Sequence, residues 1–203
     1  MRSIFSDQVS NLTDIFLDDV ELISINRPNF EFIESLSKGL IESRENLNLQ
    51  WIQEINNNQL INNNLPLSIE GDIRSMLIDQ LRESSETLSK LMGCNKIKFR
   101  LSTLRSPMCP RFHVDNLPCR LLITLCGKGT ERIPNSHVNW DILNDTSNDN
   151  IPVKTPGKVK RIKPGQWSLL KGGAWNNNYR GVVHRSPLGN DERILLSLDP
   201  IFD

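Results

Sequence analysis

The chain has 203 residues, with 24 Lys+Arg balancing 24 Asp+Glu, so its formal net charge is zero. That length supports one well-buried domain over 1–203 and is too short for two large ones. Zero net charge gives no global field toward nucleic acid or anionic lipid, so neither is an expected partner.

Residues 1–20 carry Asp7 and Asp14 and no apolar run, which does not fit a signal peptide. No stretch approaches the roughly 18 apolar residues that a membrane-spanning helix needs. Cys94, Cys109, Cys119 and Cys126 form no Cys-x-x-Cys pair. They are expected as reduced thiols in a cytoplasmic protein rather than as a disulfide frame or a zinc knuckle.

Residues 1–93 are expected to be α-rich. Ser6 or Asp7 is positioned to cap a short amphipathic turn carrying Val9, Leu12, Ile15 and Phe16. Residues 20–25 (Val-Glu-Leu-Ile-Ser-Ile) suit a short strand, broken by Arg27-Pro28. Phe30, Ile33, Leu36, Leu40 and Ile41 repeat at helical spacing. The asparagine-rich run 56–64 is turn-prone and predicts a loop. Ile73, Met76, Leu77, Leu81, Leu88 and Leu91 mark a long helix over 72–92, with Gly93 as its stop.

From Lys96 the pattern turns to strands. Residues 96–104 alternate polar and apolar, and 120–126 form a more continuous apolar run that predicts burial on both faces. Residues 144–156 are rich in Asn, Asp, Thr and Pro and suit a mobile surface loop, either a lid or an ordinary insertion. Short strands are then expected at 158–162, 166–170, 181–184 and 193–198, separated by turn signals. Strands at this spacing suggest a sandwich or barrel. With helices ahead of them the whole predicts an α+β fold, 1–93 forming a helical layer on a β core at 94–203.

The chemistry concentrates in Cys109-Pro-Arg-Phe-His113-Val-Asp115-Asn and Gly181-Val-Val-His184-Arg-Ser-Pro. A His and an Asp two positions apart share one face of a strand, leaving Phe112 and Val114 on the other. A second His far along the chain can complete two nitrogens and one carboxylate. That set suits mononuclear iron(II) and leaves three coordination positions open. The chain has only three histidines, and two fall in these segments. His137 lies in a polar loop and is expected to face solvent.

Arg193 lies nine residues past His184 and opens the last apolar strand. A guanidinium on a buried face is costly unless it meets an anion. The carboxylate of a keto acid would satisfy it; Asp191, Glu192 or solvent could as well. Leu195 and Ser197 share its face, so Ser197 could add a hydrogen bond. Arg120 and Arg185 are rival anion partners. Cys109 is expected as a small buried residue rather than a soft ligand, and Trp167 and Trp175 as core rather than cavity lining. The basic run Lys154, Lys158, Lys160, Arg161 and Lys163 fits a solvated face.

His113-x-Asp115, His184 and Arg193 on short strands resemble the iron(II)/2-oxoglutarate-dependent dioxygenases, as does Pro164-Gly-Gln-Trp-Ser-Leu-Leu-Lys-Gly172 before the second His. More closely, Cys109–Asn116, Arg120-Leu-Leu, Gly127-Lys-Gly-Thr-Glu131, Leu170-Lys-Gly-Gly-Ala-Trp175, Val183-His-Arg-Ser-Pro187 and Leu198-Asp-Pro200 resemble a bacterial family, domain of unknown function 1826. The resemblance implies a double-stranded β-helix (a cupin-like jelly roll). It implies Fe(II) held by His113, Asp115 and His184, and 2-oxoglutarate as cosubstrate on Arg193 with Ser197 or Arg120. The implied reaction is oxidation, of the hydroxylase type, of a small-molecule or side-chain substrate that the sequence does not identify. One departure is Leu195, where many such enzymes carry Ser. Two other functions share the scaffold: a cupin enzyme using another divalent metal, zinc included, and a non-enzymatic metal-binding protein serving metal homeostasis. Oligomeric state has no signal in the sequence.

Overall fold

A computed structural model describes residues 1–27, 30–55, 57, 59–176 and 179–202. Its strands are β1 (Arg2–Ser6), β2 (Val20–Ile25), β3 (Asn48–Glu54), β4 (Lys96–Leu104), β5 (Cys119–Cys126), β6 (Glu131–Ile133), β7 (Lys160–Arg161), β8 (Trp167–Lys171), β9 (Val183–Arg185) and β10 (Arg193–Ile201). Its helices are α1 (Phe30–Glu42), α2 (Gln59–Asn64), α3 (Gly71–Met92) and α4 (Trp140–Asn144), and Val9–Phe16 forms a 3-10 helix. The strands make a seven-stranded sheet, ordered β1-β2-β8-β5-β10-β4-β3, and a three-stranded sheet, β7-β6-β9. The fold is mixed, with one large sheet and few helices.

The period-two alternation of strands gives the large sheet two different faces. On one, Ile23, Trp167, Leu169, Leu121, Ile123, Leu196, Leu198, Phe99 and Leu101 meet Leu36 and Leu40 of α1 and Leu77, Leu81 and Leu88 of α3 in the main core. On the other, Leu22, Leu122 and Leu170 gather Ile162 and Val182, which flank the small sheet. The two sheets therefore pack face to face across a thinner apolar layer. Arg193, Leu195, Ser197 and Asp199 of β10, with Arg120 of β5, belong to this inner face. The outer side of the small sheet buries Phe112, Ile133, Val138 and Val183.

Several expectations change. Residues 1–93 supply not only helices but β1, β2 and β3, all in the large sheet. The asparagine run is only partly a loop: Asn57 is irregular, but Gln59–Asn64 form helix α2; Asn56 and Asn58 lie outside the described residues, as does Pro28. Buried Ile61 and Leu65 anchor that helix, and Arg74 donates to the carbonyls of Asn62, at 2.7 Å, and Pro66, at 2.6 Å. This satisfies helix-end acceptors that otherwise need water. The first 3-10 helix starts from Gln8 without a side-chain cap; Ser6 Oγ instead accepts from the Gln8 amide at 3.1 Å. His137 is half-buried in a 3-10 turn, not solvent-facing. Gly93 ends α3 at φ 66° as expected, a left-handed cap that suits glycine. Trp167 is fully buried against the helices and Trp175 packs on Phe16. Among the described residues no helix is long and apolar enough to cross a membrane, and all four cysteines are unbridged.

Beside the site, Glu131 of β6 receives hydrogen bonds from Arg161 at 2.6 Å and Arg185 at 2.9 Å. Burial pushes its carboxyl up, but these two bonds outweigh that and hold its pKa below the ordinary 4.5. A depressed carboxylate pKa stabilises the fold above the unfolded-state value and loses that contribution as pH falls. Glu131→Gln is expected to cost about 1–2 kcal/mol at pH 7 in urea unfolding. The gap to wild type should narrow as pH falls below the ordinary 4.5; a gap that does not change on acidification contradicts this role.

Candidate metal centre

His113 and His184 are 71 positions apart in sequence, yet their backbones are bonded directly to each other. The His113 amide donates to the His184 carbonyl at 3.0 Å, and the His184 amide donates to the His113 carbonyl at 3.0 Å. This isolated antiparallel bridge lays the His113 segment along β9 as a rudimentary fourth strand of the small sheet. Residues opposite one another on antiparallel strands point to the same face. The two imidazoles therefore meet, with ring centroids 4.6 Å apart.

Each ring is also aimed. His113 Nδ1 lies 3.0 Å from the Arg111 carbonyl, and His184 Nδ1 lies 3.0 Å from the Val182 carbonyl. A carbonyl only accepts, so Nδ1 carries the proton and Nε2 of the neutral ring keeps its lone pair. Both Nε2 atoms point at Asp115, at 3.6 Å from Oδ1 for His113 and 3.4 Å from Oδ2 for His184. One ligand atom from each of His113, Asp115 and His184 lies within 4.8 Å of the others. His184 is buried and the other two are half-buried.

Asp115 is placed by its backbone. The Gly173 amide donates to its carbonyl at 2.8 Å, and the Gly172 amide donates to the Pro118 carbonyl at 2.8 Å. A Cβ on Gly172 would sit 1.9 Å from the Leu117 carbonyl oxygen and 2.9 Å from that of Asp115. At Gly181, with φ +75°, it would strike Val114 Cγ1 at 2.3 Å. These glycines let the 113–118 segment lie flush on the turns after β8 and before β9. Phe112 and Val114 join the apolar cluster outside the small sheet, and both also wall the cavity beside His113 rather than facing away from it.

The electrostatics favour a carboxylate between two imidazoles. Burial raises the Asp115 pKa, but the facing imidazoles of His113 and His184 and the charge of Arg120 drive it well below the usual carboxylate range. The Asp115 carboxylate facing its ring raises the His113 pKa above 6.5, against burial. Without a cation Asp115 thus favours a proton on His113, which a divalent metal would displace.

The arginines divide sharply. Arg120 donates to Asp199 through Nε at 2.6 Å and Nη2 at 2.7 Å, and to Asp115 through Nη1 at 2.8 Å; its donors are committed to two carboxylates rather than left for a ligand. Arg185 pairs with Glu131 and lies over Phe112. Arg193 is 4% exposed and makes one bond, from Nη2 to Thr130 Oγ1 at 3.3 Å. Its buried Nε has no hydrogen-bond partner. Asp191 and Glu192 do not serve it, being paired with Lys128 and Arg105. Burial and the nearby Arg161 charge push its pKa down to about 10, which leaves it cationic at neutral pH. Ser197 is buried on the same face. Cys109 is exposed rather than buried, because it lies in the loop before the bridge.

A cavity of about 850 Å³ adjoins His113, walled by Phe112, Val114, Trp140, Leu143, Tyr179 and Arg180. Arg111, on its rim, donates to the carbonyls of Thr146 and Asn148 at 2.7 and 2.9 Å, tying the asparagine-rich loop to the site.

Solved structures similar in fold include several described as oxygenases. The dioxygenase for auxin oxidation 1 from Arabidopsis thaliana, in complex with 2-oxoglutarate, superposes with a TM-score of 0.59 at 11% identity, over 100% of this chain and 93% of that one. The rice dioxygenase for auxin oxidation gives 0.55 at 11%, over 99% and 83%. A Pseudomonas putida prolyl-4-hydroxylase gives 0.51 at 12%, over 100% and 98%. The chain itself belongs to the family described as a protein of unknown function (DUF1826), whose model matches residues 6–199. No curated protein matches the sequence.

The close approach at Gly172 gives a direct check of the site's construction. Gly172→Ala should cost about 1–3 kcal/mol in thermal unfolding, because backbone must shift. Gly173→Ala should cost much less, since its Cβ would meet Val114 Cγ1 at an ordinary 3.4 Å. Equal costs would contradict the packing described.

Proposed function

We propose that this protein is an iron(II)- and 2-oxoglutarate-dependent oxygenase built on a double-stranded β-helix. Two observations carry the reading: a three-residue donor set, and a buried guanidinium that no carboxylate hydrogen-bonds among the described residues. His113, Asp115 and His184 present two imidazole nitrogens and one carboxylate within 4.8 Å, the set suited to iron(II) with open positions. Arg193 is a buried guanidinium without a carboxylate partner among the described residues. A lone buried charge is strongly unfavourable, and the far carboxylate of a bound diacid would neutralise it through a two-pronged pair.

The residues divide the work. His113 and His184 present Nε2 because the Arg111 and Val182 carbonyls hold Nδ1–H. Asp115 brings the negative charge that offsets a divalent cation. Arg193 anchors the cosubstrate and Ser197 lies on the same inner face to support it. Leu22, Leu122, Leu170 and Val182 form the apolar layer that keeps water from this side. When bound, iron(II) with 2-oxoglutarate and dioxygen supplies hydroxylating power coupled to release of succinate and carbon dioxide. The cavity beside His113 is where the substrate would enter.

Anaerobic addition of iron(II) and 2-oxoglutarate should give a weak visible charge-transfer band, and admitting air should release succinate. Metal uptake without the band or succinate would instead favour a metalloprotein of another kind. His113→Ala and Asp115→Ala should each abolish stoichiometric metal binding in equilibrium dialysis; retained stoichiometry in both would contradict the ligand set. Arg193→Ala should keep the metal but weaken 2-oxoglutarate binding by about tenfold or more, the scale of a charged hydrogen-bonded contact. Unchanged keto-acid affinity would refute its role.

A further inference from the structure

The two oxygens of Asp115 are held differently. Oδ1 faces His113 Nε2 at 3.6 Å, whereas Oδ2 lies 3.4 Å from His184 Nε2 and also accepts a hydrogen bond from Arg120 Nη1 at 2.8 Å. Arg120 is itself locked, because its Nε and Nη2 grip both oxygens of Asp199 at 2.6 and 2.7 Å. The three side chains are only 14–17% exposed. Arg120 stands on β5 and Asp199 on β10, neighbouring strands of the large sheet. The clamp thus ties the small-sheet side of the site to the most contact-rich part of the fold.

We propose that Arg120, clamped by Asp199, is a positioning residue that keeps Oδ2 of Asp115 in a hydrogen bond and so restricts Asp115 to one-oxygen coordination of the metal. This rests on the metal-site reading above. A carboxylate can take a cation through one oxygen or both. Two-oxygen binding would fill a position that a three-residue set leaves for cosubstrate or oxygen. A short charge-assisted bond is strong enough to prevent that, and the forked pair with Asp199 sets the plane in which Arg120 presents its third donor. Lysine would keep the charge but not the fork that spans two carboxylates.

The test uses the full chain loaded with cobalt(II), a spectroscopic stand-in for iron(II), titrated with 2-oxoglutarate. Arg120→Gln, Arg120→Lys and Asp199→Asn are compared with wild type, with thermal unfolding of the metal-free proteins as the fold control. Each variant should still bind one cobalt per chain. In Arg120→Gln the visible cobalt bands should change, reporting altered coordination, and 2-oxoglutarate affinity should fall about tenfold or more. Arg120→Lys should recover part of that loss, and Asp199→Asn should fall between. A purely structural role would lower the unfolding temperature while leaving the cobalt spectrum and cosubstrate affinity unaltered. That result, in folded Arg120→Gln and Asp199→Asn, overturns the proposal while leaving the metal site standing. If Arg120→Gln does not fold, Asp199→Asn decides alone by the same criterion. Wild type that takes up no cobalt overturns the metal-site reading, and this proposal with it.

Discussion

A pair of backbone hydrogen bonds between His113 and His184 organises this molecule's chemistry. Neither residue is near the other in sequence, and the 113 segment is too short to count as a strand. Once the bridge forms, geometry leaves little choice. Opposed residues share a face, so two rings meet; each ring donates Nδ1–H to the carbonyl two positions before it, so both Nε2 atoms turn the same way. Asp115 follows at the next same-face position and closes the set. The glycines at 172 and 181 are part of the same constraint, because any larger side chain would lift the segment off its neighbours.

The large sheet then places charge where the bridge needs it. Its helix-facing side is mainly apolar, with Lys171 and Gln53 as buried exceptions, and supplies the main core of the domain. Its inner side interrupts an apolar layer with Arg120, Arg193, Ser197 and Asp199. Burying polar side chains costs free energy unless each finds a partner. Arg120 and Asp199 find one another and Asp115. Arg193 has only a hydroxyl, and that imbalance is what separates a candidate ligand anchor from a structural ion pair.

Much of this was legible in the sequence. The strand expected at 96–104 matches β4 (Lys96–Leu104), and α3 ends at Gly93 as its pattern predicts. The triad residues converge because the His-x-Asp spacing carries strand geometry even where no strand is assigned. Other features were hidden for identifiable reasons. β3 lies at a sheet edge with most of its side chains at least partly exposed, so it lacks an apolar signal. β6 has three residues, too few to show a period. Helix α2 depends on Arg74 capturing carbonyls from a distance, which no local propensity reveals. The Arg120–Asp199 clamp joins residues 79 positions apart. A faint signal existed in the alternation Arg193, Leu195, Ser197, Asp199, which puts an acid on a face already marked as buried. Cys109 misled because composition says cysteines are buried, while its loop is not.

X-ray absorption spectroscopy of the iron(II)-loaded protein tests the central claim most directly, because it counts what surrounds the metal. Two imidazoles and otherwise oxygen or nitrogen scatterers at about 2.0–2.2 Å are predicted. A sulfur scatterer near 2.3 Å, or a shell with fewer than two imidazoles, would contradict the assignment of His113 and His184 as partners on one ion.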